Sequence, residues 1–279
     1  MKILNKNNLP EALVRAAKGD GDHTPSETRM SVTDLIGSPW MRHMKMIHYK
    51  DVSVEVEDLT WLMFGNAFHA MMNKYAPEDA TSEIRIELDV NGYTLVGIPD
   101  VHKDGVLDDF KTTSVYSFLL GEKVEWERQL NVYVWMLRQK GIEIKQIRII
   151  AILRDWMQRK TIEDNYPKKP LIAVDIPLWD NETAEAYIRE RIEAHKLLTP
   201  CTPEERWRKP TTYAVKVKGI KTAKRVLPTK EEAEEWLASN SLKFKVPTYI
   251  EERPGEDSKC LNYCNYAKWC TYNIYQGEK

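Results

Sequence analysis

Residues 97–113 read GIPDVHKDGVLDDFKTT, and the fold turns on how this stretch is taken. Lys103-Asp104-Gly105 is a turn signal with an apolar-rich strand on either side. Asp109 and Lys111 stand two apart on the second strand and so share a face, and the hairpin brings Asp100, at the end of the first, toward them. Two converging carboxylates are suitable oxygen ligands for Mg²⁺ or Mn²⁺. A lysine beside them can orient an attacking water and stabilise charge that grows on phosphorus. For an isolated Asp-x-Lys tripeptide the simpler reading is a solvated turn, and Asp104 and Asp108 fit that reading.

The flanking segments set this stretch in an α/β core. SEIRIELDV alternates apolar and polar residues and Asn91-Gly92 is a two-residue hairpin signal, so residues 82–113 are expected as a three-stranded antiparallel meander. Upstream, Ser31 to about Lys50 predicts a short helix, a break at Ser38-Pro39 and a second helix. Asp58 or Thr60 then caps a helix to about Tyr75, with Leu59, Met63, Ala67 and Met71 at helical spacing and with Gly65 and His69 on it. Downstream, residues 114–141 predict one or two helices closed by Gly141, with Trp126, Leu130, Tyr133 and Leu137 on one stripe. IKQIRIIAILRDW reads as a buried central strand and LIAVDIPLW as another. Asp180 or Asn181 caps a helix to about Leu198. The expected organisation is a loose leader over 1–30, a core over 31–199 and an extension over 200–279 that begins at Pro200-Cys201-Thr202-Pro203.

Composition constrains partners only weakly. Among 279 residues, 41 basic and 42 acidic side chains give a net charge of -1, so any phosphate-binding surface must be local. Cations do gather between Arg206 and Arg225, where Lys216, Lys218, Lys221, Lys224 and Arg225 mix with Trp207 and Tyr213. That mix suits a DNA strand, and equally a solvated strand pair. No apolar run reaches the roughly 18 to 20 residues of a membrane span, and the first residues lack a secretory apolar core, so a soluble, cytoplasmic protein is expected. Three of the four cysteines, Cys260, Cys264 and Cys270, fall within eleven residues, which in a reducing compartment points to metal. Cys201 is the only other cysteine.

Gly97-Ile-Pro-Asp100, Asp109-Phe-Lys111, the preceding Gly65-to-His69 helix and the following Gln129-Leu-Asn-Val-Tyr133 together resemble the PD-(D/E)xK nucleases of the RecB-like exonuclease branch, which includes phage-encoded relatives and nucleases of CRISPR adaptation modules. The resemblance implies a restriction-endonuclease-like α/β core, a mixed central sheet flanked by helices. It implies that His69, Asp100 and Asp109 bind Mg²⁺ or Mn²⁺, that Lys111 is the catalytic lysine, and that Gln129 and Tyr133 support it and contact DNA. A further acidic residue could come from Glu87 or Glu127.

The cysteine trio resembles one that joins a distant cysteine to hold a 4Fe-4S cluster in that branch. The distant cysteine there precedes the nuclease motifs, often as Cys-Pro, whereas this chain has Ser38-Pro39 at that place and Cys201 after the motifs. Zn²⁺ is the alternative metal. The implied function is a metal-dependent DNA exonuclease in recombination, repair or end processing. No Walker-type motif is present, so any unwinding would come from a partner such as a helicase, with a recombinase or single-strand-binding protein as other implied partners. Two rival readings are a catalytically silent DNA-binding or recruiting module, and an endonuclease on the same fold.

Overall fold

The computed structural model describes residues 1–19, 24–120, 124–240 and 243–274. Residues 20–23 of the expected leader and 121–123 of the expected helical segment lie outside them. The chain divides into two compact units, Met1–Thr199 and Pro200–Lys279.

The first unit opens with β1 (Lys2–Leu4) and α1 (Glu11–Lys18), so residues 1–30 are not simply a loose leader. β2 (Arg29–Ser31) leads into α2 (Val32–Ile36) and α3 (Pro39–His48). Ser31 Oγ accepts from Asp34 N and Ser38 Oγ from Met41 N, so each serine caps the helix that follows it. Pro39 at the start of α3 gives up only a donor that a helix cannot use there. After β3 (Ser53–Glu55), which pairs in parallel with β1, a 3-10 turn over Val56–Leu59 runs into α4 (Thr60–Lys74). Neither Asp58 nor Thr60 caps that helix; the residue before it is Leu59, without a side-chain cap, and Thr60 Oγ1 donates back to Glu57 O at 2.7 Å.

β4 (Thr81–Ser82), β5 (Ile86–Val90), β6 (Tyr93–Gly97), β7 (Val101–Lys103) and β8 (Val106–Thr113) follow. They do not form the single meander expected. β5 pairs with β6 and β7 with β8, but β6 belongs to one sheet, ordered β2-β6-β5, and β7 to another. The chain changes sheets at Ile98-Pro99-Asp100, where proline has no N–H to offer a ladder.

α5 (Val115–Leu119) and α6 (Val124–Gln139) connect β8 to β9 (Gln146–Leu153), which lies parallel to it, as a helical crossover permits. β10 (Leu171–Ile176) adds antiparallel to β9, giving a mixed sheet ordered β10-β9-β8-β7-β4, with α7 (Asn181–Lys196) next in the chain. Asp180 Oδ1 caps α7 by accepting from Thr183 N at 2.7 Å.

α6 is the centre of the core. The expected stripe is only part of its buried surface, because every residue from Leu130 to Leu137 is buried, between α2, α7 and β5. Leu107, Ile147, Ile149 and Ala151 from the mixed sheet, with Ile188 and Ile192 of α7, join the same core. Asn131 is polar inside it and fully used: its Nδ2 donates to Glu127 O and Pro177 O, and its Oδ1 accepts from Trp179 N.

The second unit contains β11 (Arg208–Lys209), β12 (Thr212–Val217), β13 (Arg225–Leu227), α8 (Lys230–Asn240), β14 (Thr248–Arg253), β15 (Glu256–Asp257) and α9 (Ser258–Asn262). The expected strand pair is a three-stranded sheet, because β14 pairs along the whole of β12. No described helix is long and apolar enough to cross a membrane.

Candidate active site

The site grows from an uneven pairing. β7 pairs with β8 only as far as Asp108, so the C-terminal half of β8 has β9 on one side and, among the described residues, no strand on the other. Asp100, just before β7, fills that place: its Oδ2 accepts from the Phe110 backbone N–H at 2.7 Å. Asp100 is thus buried and held beside Asp109 and Lys111 by the strand that the hairpin returns.

α4 covers the same stretch. Phe68 meets Phe110 at a tilt with ring centroids 5.8 Å apart, and a Cβ placed on Gly65 would lie 3.6 Å from Thr112 Oγ1, an ordinary contact that does not require glycine. His69 on this helix turns Nδ1 to Asp100 Oδ1 at 3.1 Å. That bond raises the imidazole pKa above 6.5, against the opposing effect of burial.

Asp109 is deeply buried. Its Oδ2 lies 2.6 Å from Lys111 Nζ, yet the angle is not that of a hydrogen bond and the oxygen has no such partner among the described residues. Burial pushes this carboxyl above 3.8, the nearby Asp100 charge adds to the rise, and Lys111 and His69 oppose it. A buried carboxylate placed this way favours any cation that comes near.

α6 supplies the third wall. Gln129 Nε2 donates to Tyr133 OH at 3.0 Å, as their i,i+4 spacing allows, and burial together with the Asp109 charge drives the phenol pKa well up. No hydrogen bond joins Gln129 or Tyr133 to Lys111 among the described residues. α6 comes this close because of Gly97, a residue sequence reasoning quoted without assigning it a task. A Cβ there would lie 2.7 Å from Met136 Sδ and 3.2 Å from Tyr133 Cδ1. A glycine just before a strand-ending Ile-Pro was the available signal.

Other candidates are committed elsewhere. Glu87 pairs with Arg29 and Arg85. Glu127 Oε1 accepts from Trp179 Nε1 at 2.7 Å. Asp104 is a turn residue with φ 51°, and Asp108 takes a two-pronged contact from Arg148, at 2.7 and 2.8 Å.

In the second unit, Cys260 lies on α9, Cys264 just after it, and Cys270 behind a 3-10 turn over Ala267–Trp269. Burial lifts the Cys260 thiol to about 11, with smaller effects from the charges of Cys264, Asp257, Cys201 and Cys270. Burial also raises Cys264, while hydrogen bonding from the backbone of Tyr266 and Ala267 opposes the rise. Among the described residues no three His, Cys, Asp or Glu side chains stand together as a ready metal-holding group, here or around Asp109. Of the cations between Lys216 and Arg225, Lys216 pairs with Glu251 at 3.0 Å, whereas Lys218, Lys221, Lys224 and Arg225 are exposed around the β12–β13 hairpin.

A comparison with curated proteins finds no match. Among solved structures, one titled "Crystal structure of SSO0001" aligns at a TM-score of 0.49 and 17% sequence identity, over 70% of this chain and 88% of that chain. Residues 67–271, which include His69, Asp100, Asp109, Lys111, Gln129, Tyr133 and all four cysteines, match the sequence profile of a nuclease superfamily. The chain therefore belongs to the PD-(D/E)XK nuclease superfamily.

Proposed function

We propose that this nuclease is a metal-dependent DNA exonuclease of the RecB-like branch, acting on DNA ends during recombination, repair or end processing. The observation that carries the reading is the buried Asp109 carboxylate, beside Asp100 and 2.6 Å from Lys111 Nζ, on the half of β8 that no second strand covers. The donors fit Mg²⁺ or Mn²⁺: two buried carboxylates with one oxygen short of a hydrogen bond, and an imidazole whose Nδ1 is oriented by Asp100 so that Nε2 remains for a ligand. His69, Asp100 and Asp109 would hold the ion, which when bound supplies Lewis-acid polarisation of the phosphate.

Lys111 then gives up its contact with Asp109 and turns its ammonium to the attacking water and the phosphate oxygens. Tyr133, kept neutral by burial and oriented by Gln129, offers a hydroxyl to the substrate side of Asp109. The exposed Lys218, Lys221, Lys224 and Arg225 would bind backbone phosphates. Cys260, Cys264, Cys270 and Cys201 would hold a structural 4Fe-4S cluster, with Zn²⁺ as the alternative; the crowding of three cysteines into residues 260–270 supports this. Iron and sulfide analysis of anaerobically purified protein tests that part.

The deciding experiment incubates end-labelled linear DNA and covalently closed circles with wild type and Lys111→Ala, in Mg²⁺, Mn²⁺ or EDTA. Metal-dependent loss of linear DNA alone, by wild type alone, is the expected result. Cleavage of closed circles would make the enzyme an endonuclease, and DNA binding without cleavage would make it a recruiting module.

A further inference from the structure

α4 packs Phe68 against Phe110 of β8 yet leaves several large apolar side chains exposed. None of its residues is buried, and Trp61 is 53% exposed, an unusual position for so large an apolar ring. This tryptophan is nevertheless held. The Arg154 guanidinium lies over its ring at 4.4 Å, and Phe64 meets it edge-on with centroids 6.2 Å apart. The Arg154 backbone is anchored where its N–H donates to Thr113 O, just past the paired ends of β8 and β9.

Two independent rulers tie this braced ring to the candidate site. Trp61, Gly65 and His69 are spaced i, i+4, i+8, so they line one side of α4, and the eight residues from Trp61 to His69 span about 12 Å of helix. On the sheet, Arg154 is three residues beyond Ala151, the β9 partner of Lys111, or about 10 Å further along the strand. Both rulers put the braced ring about 10 to 12 Å along its element from the candidate site, within reach of the next few nucleotides of a bound strand.

We infer that Trp61, braced by Arg154, is a stacking platform for an unpaired base of the DNA strand entering the site, which makes the enzyme selective for single-stranded ends. The inference rests on the reading that Asp100, Asp109 and Lys111 receive the phosphodiester. An indole with one face against a guanidinium presents its remaining surface at low entropic cost, and the cation would meet the phosphates that flank a stacked base. A paired duplex keeps its bases in its own stack and offers no ring to this surface.

The test measures binding without cleavage. Fluorescence anisotropy in EDTA compares a labelled oligothymidine strand with a blunt duplex, for wild type, Trp61→Ala, Trp61→Phe and Arg154→Ala, with circular dichroism melts to establish that each variant is folded. Trp61→Ala is expected to weaken strand binding about 5- to 150-fold, with duplex binding unchanged and Trp61→Phe close to wild type. Arg154→Ala is expected to weaken strand binding less than Trp61→Ala does. Equal strand binding by wild type and Trp61→Ala, a parallel loss on strand and duplex, or no strand binding by wild type would each overturn the platform. Because no metal is present, the result is independent of catalysis. A wild type that cuts nothing while Trp61→Ala selectively loses strand binding would leave the platform standing and remove the nuclease reading.

Discussion

Nζ of Lys111 lies 2.6 Å from Oδ2 of Asp109, two residues away on the same face of β8, and that oxygen has no hydrogen-bond partner among the described residues. The ammonium therefore compensates a buried carboxylate, and on the proposed reading a bound divalent cation would take over that task and free the lysine for the substrate.

Lys111→Ala should show both tasks. Removing the lysine leaves Asp109 buried without its counterion, which costs roughly 1–3 kcal/mol, reduced from a fully buried pair because the lysine reaches solvent. In EDTA the variant should melt earlier than wild type. Mn²⁺ should recover most of the difference, and cleavage should stay at least about 10²-fold down. A variant that melts like wild type without metal would show that the contact with Asp109 is incidental.

Gly97→Ala tests how α6 reaches the site. The added Cβ would lie 2.7 Å from Met136 Sδ in a packed core, so a loss of about 1–3 kcal/mol is expected, with Tyr133 shifted away from Asp109. Adding Met136→Ala should remove the clash, and chemical denaturation should find the double variant more stable than the sum of its parts predicts. Strict additivity would mean that the backbone absorbs the methyl group without touching α6.

The residues of the site were legible because hairpin arithmetic is local: Asp100, Asp109 and Lys111 are tied together by one turn and a period of two. His69 was singled out only through the motif order, since nothing on α4 by itself marks it; the structure sets its Nδ1 3.1 Å from Asp100 Oδ1. The split of the expected meander was missed because Asn91-Gly92 and Asp104-Gly105 look alike as turns, while the change of sheets at Pro99 depends on what α6 and Gly97 do elsewhere in the chain. Trp61 escaped for the opposite reason. Helical spacing on α4 suggested a buried stripe, and only the packing shows that the helix leaves its apolar surface outside.

His195 makes a pH prediction away from the site. It is buried on α7, its Nε2 donates to Leu35 O at 3.1 Å, and burial lowers its pKa below 6.5, with Arg191 and Arg42 adding to the drop and Asp34 and the Leu35 carbonyl opposing it. The unfolded chain then binds the proton more tightly than the folded one below pH 6.5. Stability from this group is fully present above that pH and is lost as pH falls toward the depressed folded value. His69 contributes with the opposite sign, because its pKa is raised. The comparison that isolates His195 is the drop in melting temperature between pH 7 and pH 5.5 in wild type and in His195→Gln, which keeps an amide donor. The variant should show the shallower drop; an equal drop would assign the acid sensitivity elsewhere.

Asp108 and Asp109 are adjacent in sequence and should respond in opposite ways to the same change. Asp108 faces Arg148 through two contacts on a partly solvated surface, so Asp108→Asn should cost less than about 1 kcal/mol and leave cleavage and metal response intact. Asp109 has a pKa raised by burial, so its ionisation costs the folded state increasingly as pH rises from 3.8 through the raised value, and that cost persists at neutral pH. Asn at this place removes the buried charge and leaves Lys111 able to reach solvent. Metal-free Asp109→Asn should therefore melt at or above wild type, by up to about 1 kcal/mol of added stability. With a metal at 100 times its Kd, wild type should gain about 2.7 kcal/mol and Asp109→Asn almost none. Melting curves of the three proteins with and without Mn²⁺ read all of this at once. A metal-induced shift retained in Asp109→Asn would remove Asp109 from the ligand set, and one lost in Asp108→Asn would show that the ion sits on the other face of β8.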